Sequence, residues 1–171
     1  MLDPEWFAHR RVIVYLVPEN GETPALRRAA GAIMQDHWIE GDWSIKHVIV
    51  SDAGRLRFAV RQRAAIHDIA VRVTEEAGQD ESFVAENEEF IQKHVFFVRD
   101  NDRAIWRELL GNPDPSNRCK ILLLDYGGRV VRTVDPSEDI PETADATIGS
   151  GAAAFAAEVR RLLPARPELD G

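Results

Sequence analysis

The chain has 171 residues, with 29 acidic and 21 basic side chains giving a formal charge of −8. That length fits one domain able to bury about 70% of the surface its unfolded form exposes, and an acidic balance argues against a general grip on nucleic acid or anionic membrane. The one cysteine excludes an internal disulfide, a four-cysteine zinc site and a C-x-x-C redox pair.

The start, Met1-Leu-Asp-Pro-Glu-Trp-Phe7, lacks the basic-then-apolar order of a secretory signal. The longest apolar run, Val12–Val17, falls far short of the roughly 20 residues that span a bilayer. A cytoplasmic location without a membrane partner is the expectation. Val12–Val17 reads as a buried strand, ended by Pro18 and the turn residues Glu19-Asn20-Gly21. Thr23-Pro24 then opens a helix: Thr accepts a hydrogen bond from first-turn N–H groups, and Pro is tolerated at the first helical position. Leu26, Ala30, Ile33, Met34 and Trp38 recur at spacings of three and four until Gly41-Asp42 breaks the pattern.

Ile45–Val50 is a second strand, stopped by Ser51-Asp52-Ala53-Gly54. Beyond it, Val60, Ala64, Ile69, Ala70, Val73 and Ala77 form one helical stripe that Gly78 ends. Leu56, Phe58 and Val60 also alternate as a strand would. A helix from about Gln62 is expected, with 55–61 left between helix and a hairpin over 46–60. Glu81–Lys93 reads as a helix with Phe83, Phe90 and Ile91 on one side. Val95–Val98 is a third strand and Ala104–Leu110 a short helix with Ile105, Leu109 and Leu110 inward. Gly111-Asn-Pro-Asp-Pro-Ser116 is a loop. Ile121–Leu124 and Val130–Val134 flank Asp125-Tyr-Gly-Gly128, a hairpin signal. A final helix follows Ser150, with Phe155, Val159, Leu162 and Leu163 inward, and a loose tail runs over 164–171.

This order predicts a single α/β domain over 1–171, its core within about 11–163. The sheet should be mostly parallel and covered on both faces, with an antiparallel C-terminal hairpin.

The run Glu89-Phe-Ile-Gln-Lys-His-Val-Phe-Phe-Val-Arg-Asp-Asn-Asp-Arg-Ala-Ile-Trp-Arg-Glu-Leu-Leu110, followed by Lys120-Ile-Leu-Leu-Leu-Asp125-Tyr-Gly-Gly-Arg-Val-Val-Arg132, resembles the peroxiredoxin and thiol-reductase branch of the thioredoxin-like superfamily. There a helix, a strand ending in Asp and a short helix precede a strand-turn-strand with a D-x-x-G turn. The resemblance covers about 11–163 and implies a three-layer thioredoxin-like fold. It also implies a thiol at the start of the first helix, where this chain has Gly21-Glu22-Thr23-Pro24, and a proline before the last hairpin, where it has Arg118-Cys119-Lys120. Thiol–disulfide exchange needs an attacking thiolate and a second thiol, so dithiol chemistry is excluded for the isolated monomer. Cys119 reads in two ways: a reactive thiol favoured by Arg118 and Lys120, or a small apolar residue at the start of a buried strand. The second is expected.

Asp36-His37-Trp38-Ile39-Glu40-Gly41-Asp42, with His47 nearby, contains metal-compatible residue types without a ligand signature. It reads as a solvated helix end, and no metal or cofactor is expected. His67-Asp68 reads as a helix-surface pair. Gly149-Ser-Gly-Ala-Ala-Ala154 partly fits a dinucleotide-binding G-x-G-x-x-A, but no buried strand precedes it and none follows, so it reads as a capped helix start. Ile148-Gly-Ser-Gly151 before an Ala-rich helix also looks like a segment of proteasome-type N-terminal-nucleophile hydrolases. Trp38 and Trp43 flank the Gly41-Asp42 break, where they cover one end of the core or face a partner.

The function expected from these residues is a redox-inactive binding or accessory module whose partner is another protein, with homo-oligomerisation open. Its binding residues would be Gly21, Glu22, Thr23, Pro24, Arg118 and Cys119. The alternatives are a non-thiol enzyme on the same scaffold, using Thr23, Asp36 or His37, and a relative of the N-terminal-nucleophile hydrolases.

Overall fold

The first apolar run becomes the central strand. In the computed structural model, which describes residues 11–19, 24–26, 29–31, 33, 45–111, 118–125, 128–139, 157, 159 and 161, β1 (Arg11–Val17) lies between β2 (Ile45–Ser51) and β4 (Lys120–Leu124). β3 (Val95–Arg99) continues the sheet beyond β2, and β5 (Val130–Val134) continues it beyond β4, giving the order β3-β2-β1-β4-β5. β1, β2 and β3 run parallel, whereas β4 is antiparallel to both β1 and β5. The sheet is therefore mixed, with the expected parallel strands on one side and the expected hairpin on the other.

Strand chemistry follows from this position. A strand covered on both faces cannot alternate apolar with polar residues, and Val12 to Leu16 are all buried. Ile13 and Tyr15 join Ile45, Ile121 and Leu123 on one face. Val12, Val14 and Leu16 join Val48, Val50, Leu122 and Leu124 on the other. The turn between β4 and β5 is held at its ends: Arg129 N–H donates to Asp125 Oδ1 (2.9 Å), and Gly128 N–H donates to the Asp125 carbonyl (3.0 Å). Gly128 has φ +74°, a conformation a side chain would disfavour.

The first face is covered by helical residues among 24–33, by α1 (Arg55–Glu76) and by α2 (Val84–Gln92), with the helical Val159 buried among them. Among the described residues, the second face is covered by α3 (Ala104–Leu110), whose Trp106 and Ile105 are buried there. This makes three layers.

Residues 55–61 are helical from Arg55, and the hairpin over 46–60 does not form. Arg, Leu, Ala and Gln are strong helix formers, and Gly54 supplies an extended residue before the first turn. The strand-like alternation of Leu56 and Val60 reports no burial, since these side chains are 81% and 62% exposed. The buried stripe begins later, at Ile66, Ala70 and Thr74, so Val60 and Ala64 fall outside it.

The helix expected over 81–93 divides into a 3₁₀ turn, Glu81–Phe83, and α2. Asp80 caps the turn by accepting from Ser82 N–H (2.9 Å), and Phe83 is left exposed while Ile91 carries the burial. α1 and α2 are joined by His67 to Glu88 (2.6 Å) and by Asn87 Nδ2 donating to Thr74 Oγ1 (2.8 Å). A short helix, α4 (Pro136–Asp139), follows β5, with Asp135 Oδ1 accepting from Ser137 N–H (3.0 Å). The expected features at Trp38, Gly41-Asp42, Trp43, Gly149–Ala154 and the 164–171 tail lie outside the described residues. Among the described residues no helix is long and apolar enough to cross a membrane.

Candidate functional site

Parallel strands leave their carboxyl ends facing the loops that lead into the crossover helices, and crevices in open α/β sheets form there. Here the carboxyl halves of β1 and β2 supply Tyr15, Val17, Ile49 and Ser51 to the floor of a cavity of about 430 Å³. Leu26, Ala30 and Gly31 form one wall. One face of α1 forms the other, through Phe58, Arg61, Ala65, Asp68, Ile69 and Arg72. These α1 positions recur at spacings of three, four and seven, which puts them on one side of a helix. The amino-terminal half of α1 thus overhangs the crevice while its outer side stays exposed.

The loops at the rim are tied by charge. Asp52 Oδ1 accepts from Glu19 N–H (2.6 Å), and Asp52 Oδ2 accepts from Arg103 Nε (2.8 Å) and Nη2 (2.7 Å). Asp100 Oδ2 accepts from Trp106 N–H (3.0 Å), and Arg103 lies over the Trp106 ring at 4.8 Å. One acceptor group therefore joins the ends of β1 and β2 to the start of α3. Arg103 takes a left-handed backbone conformation (φ 55°) to reach it, a strained position for a non-glycine residue.

Beneath the crevice, the Tyr15 hydroxyl lies 3.0 Å from His47 Nδ1, with the two rings stacked at 5.9 Å. Both residues are buried. Burial pushes the Tyr15 ionisation far above the ordinary tyrosine range, so its hydroxyl keeps a proton that it can donate to Nδ1. His47, grouped in the sequence with Asp36 and His37, is in the structure a core partner of Tyr15.

Cys119 sits on the same sheet face, just beyond the point where Leu16 pairs with Lys120. It is 3% exposed and packed in the core, as expected for a small apolar residue. Its flanking cations are engaged elsewhere: Lys120 Nζ reaches Asp135 Oδ2 at 3.3 Å, and Arg118 Nη1 reaches Asp135 Oδ2 at 3.5 Å and also pairs with Glu138. The sequence neighbourhood of two positive charges therefore becomes two ion pairs closed on Asp135.

Of the residues singled out in the sequence, Pro24 is helical and exposed, and Arg118 is exposed beside the buried Cys119. Gly21, Glu22, Thr23, Asp36 and His37 lie outside the described residues. His67 and Asp68 part company: His67 binds Glu88, while Asp68 lines the crevice. Sequence reasoning missed Arg61 and Arg72. Their spacing of eleven residues, about three helical turns, is the signal that places them on one face once α1 is known to start at Arg55.

No protein-family description matches the chain, and no curated protein matches it. Solved structures similar to it are thioredoxin-like peroxiredoxins and thiol reductases. They include peroxiredoxin Q of Xanthomonas campestris, 16% identical over 92% of this chain and 82% of that one, with a TM-score of 0.46. Also similar is a secreted Mycobacterium tuberculosis disulfide oxidoreductase, 10% identical over 92% and 87%, with a TM-score of 0.43. A third is a thioredoxin-like protein of Porphyromonas gingivalis, 14% identical over 91% and 76%, with a TM-score of 0.40.

Proposed function

We propose that this chain is a binding or accessory module that carries out no dithiol chemistry of its own. The observation that carries this reading is the placement of its single thiol: Cys119 is packed in the core, and its neighbouring cations are closed on Asp135 and Glu138. A reactive cysteine needs an accessible thiolate in an electropositive setting, and this one has neither the access nor the unengaged charge. Binding is assigned to the side of the sheet where β1 and β2 end. The crevice there is concave, with an apolar floor and a few polar groups, the usual make-up of a ligand site. A protein partner would meet exposed surface that includes Pro24 and Arg118.

The test is turnover. With insulin or hydrogen peroxide as oxidant and dithiothreitol as reductant, the chain is expected to consume neither faster than the reductant alone. Turnover above that blank, abolished by Cys119→Ser, would overturn the reading.

A further inference from the structure

The crevice carries a charge pattern that the described residues only partly neutralise. The chain is acidic overall, yet Arg55, Arg57, Arg61 and Arg63 fall within nine residues that contain no carboxylate. They occupy the amino-terminal half of α1, and the positive end of the helix dipole adds to Arg55 and Arg57 in its first turn. Arg57 is paired with Glu19. Arg61, half-buried on the crevice wall, makes no hydrogen bond or ion pair with any described residue, and neither does Arg72. At 1.5 Å per residue the two stand about 16 Å apart along the helix, one toward each end of the cavity. Their settings differ. Asp68 lies one turn from Arg72, so a carboxylate shares that end, while Arg61 has Gln62 beside it and, among the described lining residues, no acid within one turn. Arg72 also reaches toward the opposite wall: a methyl group built on Gly31 would come within 3.1 Å of Arg72 Nη1.

We propose that this crevice binds a small free organic anion with an apolar body, its acid group held by Arg61 and Gln62 and its body laid on Val17, Ile49, Phe58 and Phe97. The cavity volume of about 430 Å³ falls in the range of about 300–1,000 Å³ typical of small-ligand sites. A bare inorganic anion would leave the apolar floor uncovered, and a neutral apolar molecule would bring Arg61, in a partly desolvated wall, no counter-charge beyond those of the described residues, none of which pairs with it. A guanidinium beside an amide donor suits a carboxylate or phosphate oxygen pair. Arg72, spanning toward Gly31, closes the far end and contributes less.

This inference rests on the reading of the chain as a binding module, and calorimetric titration of the full chain separates the two. Decanoate, kept below its micelle-forming concentration, is expected to bind at one saturable site, with decanol at least tenfold weaker and inorganic phosphate not saturating. Arg61→Gln should weaken decanoate about tenfold while leaving decanol unchanged, a selectivity that a merely structural role would not produce. Arg72→Gln should weaken it two- to threefold, and Arg63→Gln, on the outer face, should not change it; unaltered thermal midpoints confirm folding. Equal affinity for decanoate and decanol, or full decanoate affinity in Arg61→Gln, overturns the proposal. So does binding to phosphatidylglycerol vesicles without binding of free decanoate. Absence of decanoate binding in a chain that also lacks reductase turnover sinks this proposal and leaves the module reading standing; turnover sinks the module reading whatever decanoate does.

Discussion

Two regions at the end of the sheet where β1 finishes treat positive charge in opposite ways. At the start of β4, Arg118 and Lys120 close on Asp135 and Glu138, and the thiol between them is buried. Beneath α1, Arg61 and Arg72 line an open cavity without an ion pair to any described residue. Cations beside a reactive-looking residue in the sequence turn out to be structural, while cations in an unremarkable helix stand over a cavity. Proximity along the chain says little about electrostatic setting. What decides it is whether the fold brings a carboxylate within reach.

The contrast can be broken at its structural corner first. Asp135 is buried, accepts from Ser137 N–H at the start of α4 and meets both Lys120 and Arg118. Asp135→Ala removes a cap and a shared counter-charge, and about 2 kcal/mol of stability should be lost in urea unfolding. Decanoate affinity should stay unchanged. Cys119→Ser places a hydroxyl in the core in place of a thiol, and should cost about 1–2 kcal/mol, again without effect on the crevice. In the unaltered chain, iodoacetamide should label Cys119 only as fast as the fold opens.

A smaller effect is expected from pH. His94 accepts from Lys46 Nζ at 2.7 Å, and burial, with the charges of Lys46 and Lys93, holds its ionisation below the ordinary histidine range. Because the folded state disfavours the protonated ring, this contribution is fully present above about pH 6.5, the unfolded value. It declines as pH falls through the interval below that value. His94→Gln should flatten that part of the stability profile, as read by urea midpoints across mildly acidic pH. The smallest change expected is from Gly31→Ala, which sharpens the crevice side. Alanine favours the helix, and the methyl group presses on the tip of a flexible arginine, so a gain of about 0.5 kcal/mol should accompany less than a twofold change in decanoate affinity.

The strands were the most legible part of the fold. β1 to β5 follow apolar runs bounded by Pro, Gly and Asp, and their limits in the structure agree with those runs to within a residue. The hairpin at Asp125 was readable because its turn needs a positive φ that glycine supplies. The start of α1 was not. Leu56 and Val60 satisfy both a strand alternation and a four-residue helical step, and neither side chain is buried enough to arbitrate. Trp106 escaped the inward set of α3 because it is buried in a cluster built from residues of β1, β2 and β4, which no local period encodes. The crevice was illegible for the same reason. Its arginines become neighbours of Val17 and Ile49 only through the crossover, and the positions near 21–24 and 118–119 follow from the family resemblance, which carries no information on where this chain forms a cavity.

Tyr15 carries a consequence of a different kind. Its hydroxyl is sealed against His47 at the middle of the sheet, and burial holds its ionisation far above the ordinary range. In the unfolded chain the same group would lose its proton near pH 10. Alkali therefore pulls on the fold through this residue: its contribution is intact below about pH 10 and is drained progressively above it. With the other tyrosine removed by Tyr126→Phe, the appearance of phenolate absorbance would mark not a local titration but the opening of the central strand itself, giving the molecule an internal optical gauge of its own cooperative unfolding.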